Sequence, residues 1–214
     1  MSAGPAGDGV VEGGVIAGNY ENKYQSQNPL ARWLMAGFLD TVTGLATASG
    51  CDEALEVGCG EGLLAIELSE RAGLRIVGTD FSHALIERAR DNARQRGSSV
   101  AFETLDVDRL GDSEPLADLV VCCEVLEHLR DPERSLATLS RVARKRLLLS
   151  VPREPLWRVL NVARGKYWRD LGNTPGHLNH WSARGFVRLV ERHARVIEVR
   201  QPLPWTVILA EPRG

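Results

Sequence analysis

Ala54-Leu-Glu-Val-Gly-Cys-Gly-Glu-Gly62, followed by Arg75-Ile-Val-Gly-Thr-Asp80, decides the fold of this chain. Each piece opens as an apolar run of strand length. The first ends in glycines at alternate positions and the second in a carboxylate. Gly58, Gly60 and Gly62 let the backbone turn sharply and approach a ligand, and a helix starting near Leu63 aims its free amides at polar ligand groups. Asp80, about twenty residues beyond the turn, stands where a βαβ unit offers an acid to ribose hydroxyls. Together the two pieces predict a nucleoside-cofactor site.

Outward from this unit the chain alternates between strand and helix patterns. The sequence predicts strands at 54–57, 75–79, 100–103, 119–123 and 146–151, helices at 63–72 and 83–96, and a further helix from Pro132 to about Arg144. Ser82 and Gly97 supply the cap and stop of the 83–96 helix. Ahead of the unit, Asn28 and Pro29 open a helix with Leu30, Trp33, Leu34, Phe38 and Val42 at helical spacing. At the other end, 195–200 and 205–211, parted by Pro202 and Pro204, read as an antiparallel pair. The expected fold is α/β, a Rossmann-like doubly wound sheet of seven strands, mainly parallel with an antiparallel C-terminal strand.

The glycine pattern is G-x-G-x-G after the acidic Glu56, not the G-x-G-x-x-G of dinucleotide sites, and this favours S-adenosylmethionine over NAD. The chain here resembles the class I S-adenosylmethionine-dependent methyltransferases over roughly residues 20–211. The resemblance implies that the Glu56 loop wraps the methionine part and that Asp80 holds the ribose. It also implies that Asp106 and Val107 meet the adenine, with Asp108 competing for that role, that Phe81 covers adenine or ribose, and that Tyr20 or Tyr24 folds over the cofactor.

A second group of residues bears on the reaction. Glu124-Val-Leu-Glu-His128 follows the fourth strand, at the edge where ligands bind in open α/β sheets. Later comes Gly176-His-Leu-Asn-His-Trp-Ser182, with Ser182 as the cap of a last helix. The combination resembles the ubiquinone-biosynthesis O-methyltransferases and, more distantly, small-RNA 2′-O-methyltransferases. It implies a Mg²⁺, Mn²⁺ or Fe²⁺ site of Glu124, Glu127, His128 and His177, with Glu124 also near the cofactor and His180 in reserve. In the competing reading His177, His180 or His128 is a general base, since imidazole titrates near the working pH.

Composition limits the partners. The chain has 214 residues, enough for one domain, and 26 basic against 28 acidic residues give a formal charge of −2. No global field draws it to nucleic acid. Residues 1–18 are rich in Gly and Ala and are expected to be a disordered tail, with a single methyltransferase domain over 19–214. They contain no basic n-region and no long apolar run, so a cytoplasmic location is expected, and Cys51, Cys59, Cys122 and Cys123 read as reduced core thiols. Residues 152–181 are expected to form a substrate lid, with Leu156, Leu160, Ala163, Tyr167 and Leu171 on one helical stripe and Arg158, Arg164, Lys166 and Arg169 interleaved. The expected partner is a small molecule, phenolic, quinol-like or lipid-like, with at most peripheral membrane contact. The sequence leaves the oligomeric state open. N- or C-methylation without metal is the main alternative, and RNA 2′-O-methylation is a lesser one.

Overall fold

The computed structural model of the chain describes residues 10–12, 15–17, 28–110, 116–163, 171–174 and 176–213. Tyr20, Tyr24, Arg164, Lys166, Tyr167 and Arg169 lie outside them. Within the stretch expected to be disordered, Val10–Glu12 (β1) and Val15–Ala17 (β2) pair as a short antiparallel ladder. The Gly- and Ala-rich composition hides two β-branched pairs, Val10-Val11 and Val15-Ile16, that favour extended backbone.

Helix α1, Pro29–Ala48, begins where Asn28 Oδ1 accepts the Leu30 amide at 2.9 Å. Its buried face is Met35, Phe38, Val42, Leu45 and Ala46, set against helix and strand elements of the main sheet. The expected stripe needs correcting at its start, because Leu30 and Trp33 are 50% and 62% exposed. The helical period is right, but the start of the helix, as far as Trp33, stands outside its packed length.

Seven strands form the main sheet: β3 Glu53–Val57, β4 Arg75–Asp80, β5 Ala101–Thr104, β6 Ala117–Cys123, β7 Ala143–Pro152, β8 Ala194–Arg200 and β9 Trp205–Pro212. Their spatial order is β5-β4-β3-β6-β7-β9-β8. The first five in that order are parallel, and β9 runs antiparallel to both β7 and β8. The connecting helices are α2 Leu63–Ala72, α3 His83–Arg96, α4 Pro132–Val142, α5 Leu156–Ala163 and α6 Ala183–Val190. The predicted caps are in place: Ser82 Oγ accepts the Leu85 amide, Ser182 Oγ accepts that of Gly185, and Gly97 ends α3 in the left-handed region.

Both faces of the sheet are covered, which explains why its central strands read as continuous apolar runs. Leu119, Val121 and Cys123 of β6 pack toward α1, α2 and α3, while Val120 and Cys122 pack toward α4 and α6. All four cysteines are buried and free. The strand order creates the place for a ligand. The chain builds β3, β4 and β5 outward in one direction, then returns to place β6 on the other side of β3. That reversal opens a crevice at the carboxyl ends of β3 and β6, where the glycine turn and the Glu124–His128 turn meet.

Candidate active site

The glycine turn is tied to the end of β4 by backbone bonds. Gly58 and Cys59 both donate to the Thr79 carbonyl, at 2.7 and 2.8 Å. Asp80, 6% exposed, spans the two loops: Oδ2 accepts the Gly60 amide at 2.9 Å and Oδ1 accepts the Ser82 amide at 3.0 Å. One carboxylate thus fixes the glycine turn and the start of α3. The loop after β5 joins them through Leu105, whose amide donates to the Asp80 carbonyl. Asp106 and Val107, half-buried, follow directly. Phe81 is exposed beside Asp80, and Asp108 falls in the 3-10 turn Val107–Leu110.

The glycines have unequal roles. Gly58 has φ +76, and a Cβ there would lie 2.4 Å from Val125 Cγ2. This contact brings the Glu124–His128 turn against the cofactor loop. At Gly60 a Cβ would meet nothing within 4 Å, so this part of the turn opens to a ligand.

Glu56 is 2% exposed, and its Oε2 is buried with no hydrogen-bond partner among the described residues. Burial, followed by the nearby Asp80 charge, pushes its carboxyl up to about 8 from 4.5. A cationic ligand group would relieve both effects. Without ligand the native chain holds this proton more tightly than the unfolded chain. Its contribution to stability is therefore complete below about pH 4.5 and declines as pH rises through about 8. Glu56→Gln should remove this decline, melting above the parent at pH 8 and converging with it at pH 4.5. Parallel melting curves for parent and variant across that window would refute the assignment.

After β6 the backbone of Glu124 is left-handed, φ +63, with its amide donating to Ser150. A non-glycine residue there stores strain of about 1–3 kcal/mol. The 3-10 turn Leu126–His128 follows. Glu127, His128 and His177 converge, with one ligand atom from each lying within 4.8 Å of the others. Glu127 is 1% exposed and His177 9%, and the two imidazoles stand edge to face with centroids 4.9 Å apart. His128 Nδ1 lies 3.0 Å from the Gly176 carbonyl oxygen. An oxygen of this kind only accepts, so Nδ1 carries the proton and Nε2 is left as the basic nitrogen.

This geometry corrects one expectation, the place of Glu124 among the ligands. Glu124 does not join the three-residue group, because the left-handed residue ends the strand and the following turn offers Glu127 instead. His180 Nδ1 lies 3.5 Å from Glu154 Oε1, and of the two later histidines His177 is the one in the cluster. Of the lid stripe, Leu156 and Leu160 are half-buried in α5 near buried Asn161, whereas Leu171 lies beyond the helix and is exposed, as are Val159 and Val162 off the stripe. Nothing in the sequence singles out Asn179, yet its backbone and that of Leu178 donate to the Glu127 carbonyl and its side chain donates to Leu129. The signal available is an amide side chain between two histidines. An open cavity of about 560 Å³, lined by Glu53, Arg75 and Ser99 among others, lies at the opposite, amino edge of the strands and shares no residue with this site.

Residues 54–146 match the family described as Methyltransferase domain. The ubiquinone biosynthesis O-methyltransferase of Methylococcus capsulatus is 38% identical over 93 residues, 43% of this chain and 39% of that protein. The enzyme of the same name from Coxiella burnetii is 27% identical over 152 residues, 64% of each chain. This chain therefore spans between 39% and 64% of the length of these relatives. Among solved structures, magnesium protoporphyrin IX methyltransferase from Synechocystis with bound SAH aligns with a TM-score of 0.64 at 20% identity, covering 88% of this chain and 89% of that one. Residues 54–146 are thus similar to methyltransferase domains, and the seven-stranded fold is shared with that enzyme.

Proposed function

We propose that this methyltransferase domain transfers a methyl group from S-adenosylmethionine to a hydroxyl of a small molecule, with Glu127, His128 and His177 holding a divalent cation beside the acceptor oxygen. The observation that carries the reading is the arrival of His177, from a loop about fifty residues on in sequence, at Glu127 and His128. It stands at the same sheet edge as the cofactor turn. The relatives named as O-methyltransferases support the choice of a hydroxyl.

The residues present fit both groups. An orphaned buried carboxyl oxygen on Glu56 suits a cationic methionine part, the open side of Gly60 admits a ligand, and Asp80 suits ribose hydroxyls. S-adenosylmethionine supplies an electrophilic methyl on a sulfonium. One carboxylate and two imidazoles suit Mg²⁺, Mn²⁺ or Fe²⁺, and such an ion supplies Lewis acidity that lowers a hydroxyl pKa. The remaining work belongs to the chain. Asp80 and the glycine turn fix the donor, Val125 seats the acceptor turn against it, and buried Glu127 and His177 orient the acceptor oxygen. Positioning of this kind is the main source of rate for in-line transfer. With these three residues holding the ion, the acidified hydroxyl would release its proton to water, whereas without metal His128 Nε2 or His177 accepts it.

A metal-free N- or C-methyltransferase is the second reading, in which the same histidines serve only as bases. Exposed Val159 and Val162 of α5, with exposed Leu171, suit a phenolic, quinol-like or lipid-like substrate and at most peripheral membrane contact. Among the described residues no helix is long and apolar enough to cross a membrane. We place the chain in the cytoplasm and assign it no nucleic-acid partner, given a formal charge of −2.

Calorimetric titration of Mn²⁺ into the chelator-stripped complex with S-adenosylhomocysteine tests the metal assignment. One ion should bind the parent and Glu124→Gln, and His177→Ala should lose it. No binding to the parent would leave the histidines as bases only and remove the preference for a hydroxyl.

A further inference from the structure

The loop that carries His177 is fastened on two sides. Downstream, the Leu178 and Asn179 amides hold it to the Glu127 carbonyl, and the Gly176 carbonyl holds it to His128. Upstream, the fastening comes from α5. Arg158 Nε donates to the Leu171 carbonyl at 3.0 Å, and Asn161 Nδ2 donates to the Gly172 carbonyl at 2.9 Å and to Thr174 Oγ1 at 3.2 Å. Trp157 Nε1 donates to the same Thr174 hydroxyl oxygen at 2.9 Å. Gly172, at φ +78, lies so close that a Cβ there would sit 2.2 Å from the Arg158 carbonyl oxygen.

Thr174 is the centre of this fastening. A hydroxyl oxygen accepts two hydrogen bonds, and both are filled from α5. The Thr174 carbonyl in turn accepts the His177 amide at 3.1 Å. The Trp157 indole that grips the hydroxyl also stacks on the His177 imidazole, with centroids 6.0 Å apart and planes 28° apart. Behind it Trp157 packs on Trp205, which packs on Phe38 of α1. Asn161 is 1% exposed, a burial that only a well-bonded amide sustains without penalty.

We propose that Trp157, Asn161 and Thr174 form a latch that sets the His177 ring against Glu127 and His128, making them positioning residues for the reaction. The role of His177 in that reaction rests on the proposed function, whereas the latch itself does not. Residues on either side of the 164–170 segment are hydrogen-bonded to each other through it. The site is therefore assembled only when α5 and the 171–177 loop are docked, and any motion of α5 moves the third member of the cluster.

Thr174→Val keeps shape and removes both acceptor positions, while Thr174→Ser keeps the hydroxyl. In the full chain saturated with S-adenosylhomocysteine, the His177 ring proton resonances and their nuclear Overhauser contacts to the Trp157 indole report the ring's placement. The expected result is that Thr174→Val shifts these resonances and loses the contacts, that Thr174→Ser retains both, and that cofactor-product affinity stays within about twofold in each. In a turnover assay kcat should fall about tenfold or more in Thr174→Val, with recovery in Thr174→Ser. Ring resonances in Thr174→Val that coincide with the parent, or a Thr174→Ser protein that behaves like Thr174→Val, would overturn the latch. If Thr174→Val loses the cofactor product altogether, Trp157→Phe, which removes the donor N–H and keeps an aromatic ring, decides by the same resonances. A parent that keeps the His177 ring on the Trp157 indole yet transfers no methyl group would refute the function and leave the latch standing.

Discussion

Asp80→Ala should raise the dissociation constant for S-adenosylhomocysteine by about 10²–10³-fold, since hydrogen bonds to a charged group contribute about 1.5–3 kcal/mol each and every 1.4 kcal/mol is tenfold. The residue does two things at once. Its oxygens accept the Gly60 and Ser82 amides, so its loss frees the glycine turn and the start of α3, and it also removes the acid that ribose would meet. Asp80→Asn separates the contributions, because one amide oxygen can still accept while the NH₂ opposes a backbone donor. Its affinity should fall between parent and Asp80→Ala. Calorimetry on each variant, with circular dichroism to confirm folding, reads the outcome. A loss of less than about tenfold in Asp80→Ala would mean that the cofactor does not depend on this acid.

Gly58→Ala should be strongly destabilising, at about 3–5 kcal/mol, combining left-handed backbone strain with overpacking. With φ +76 and a Cβ placed 2.4 Å from Val125 Cγ2, the loop and the Glu124–His128 turn must separate. For a chain of this size each kcal/mol lowers the melting temperature by about 2–4 °C, so a drop of roughly 6–20 °C is expected. Val125→Ala in the same chain should restore part of the loss, since it clears the overlap and leaves the strain. A double-mutant cycle with no coupling between the two positions would contradict the packing. The coupling matters for function because this contact joins the donor and acceptor halves of the crevice.

How far the sequence can be read depends on where each signal resides. The Glu56–Gly62 turn and Asp80 are legible because glycine spacing and a following acid are local patterns, and the helix caps at Asn28, Ser82 and Ser182 are legible for the same reason. The two-sided sheet is legible because Leu119–Cys123 is apolar at every position. Burial along α1 is not, since helical spacing identifies a face but not how far along the helix its partners extend. Trp33 therefore reads as core and is exposed. Glu124 reads as a partner of Glu127 because both precede His128 closely, and only backbone geometry reveals that Glu124 itself is left-handed where the strand ends. The latch is illegible, because Trp157, Asn161 and Thr174 meet through folding across 164–170, and a buried amide within a basic, amphipathic helix has no distinctive spacing. The resemblance already ranks His177 ahead of His180, and the structure places His177 in the cluster and His180 beside Glu154.

Incubating the parent and His177→Ala with methyl-labelled S-adenosylmethionine and a panel of catechols, phenols, quinols and amines tests the proposed reaction most directly. The expected result is label on a hydroxyl oxygen, with the rate in His177→Ala reduced about 10²-fold or more. Label on nitrogen or carbon at a rate the substitution leaves unchanged would contradict it.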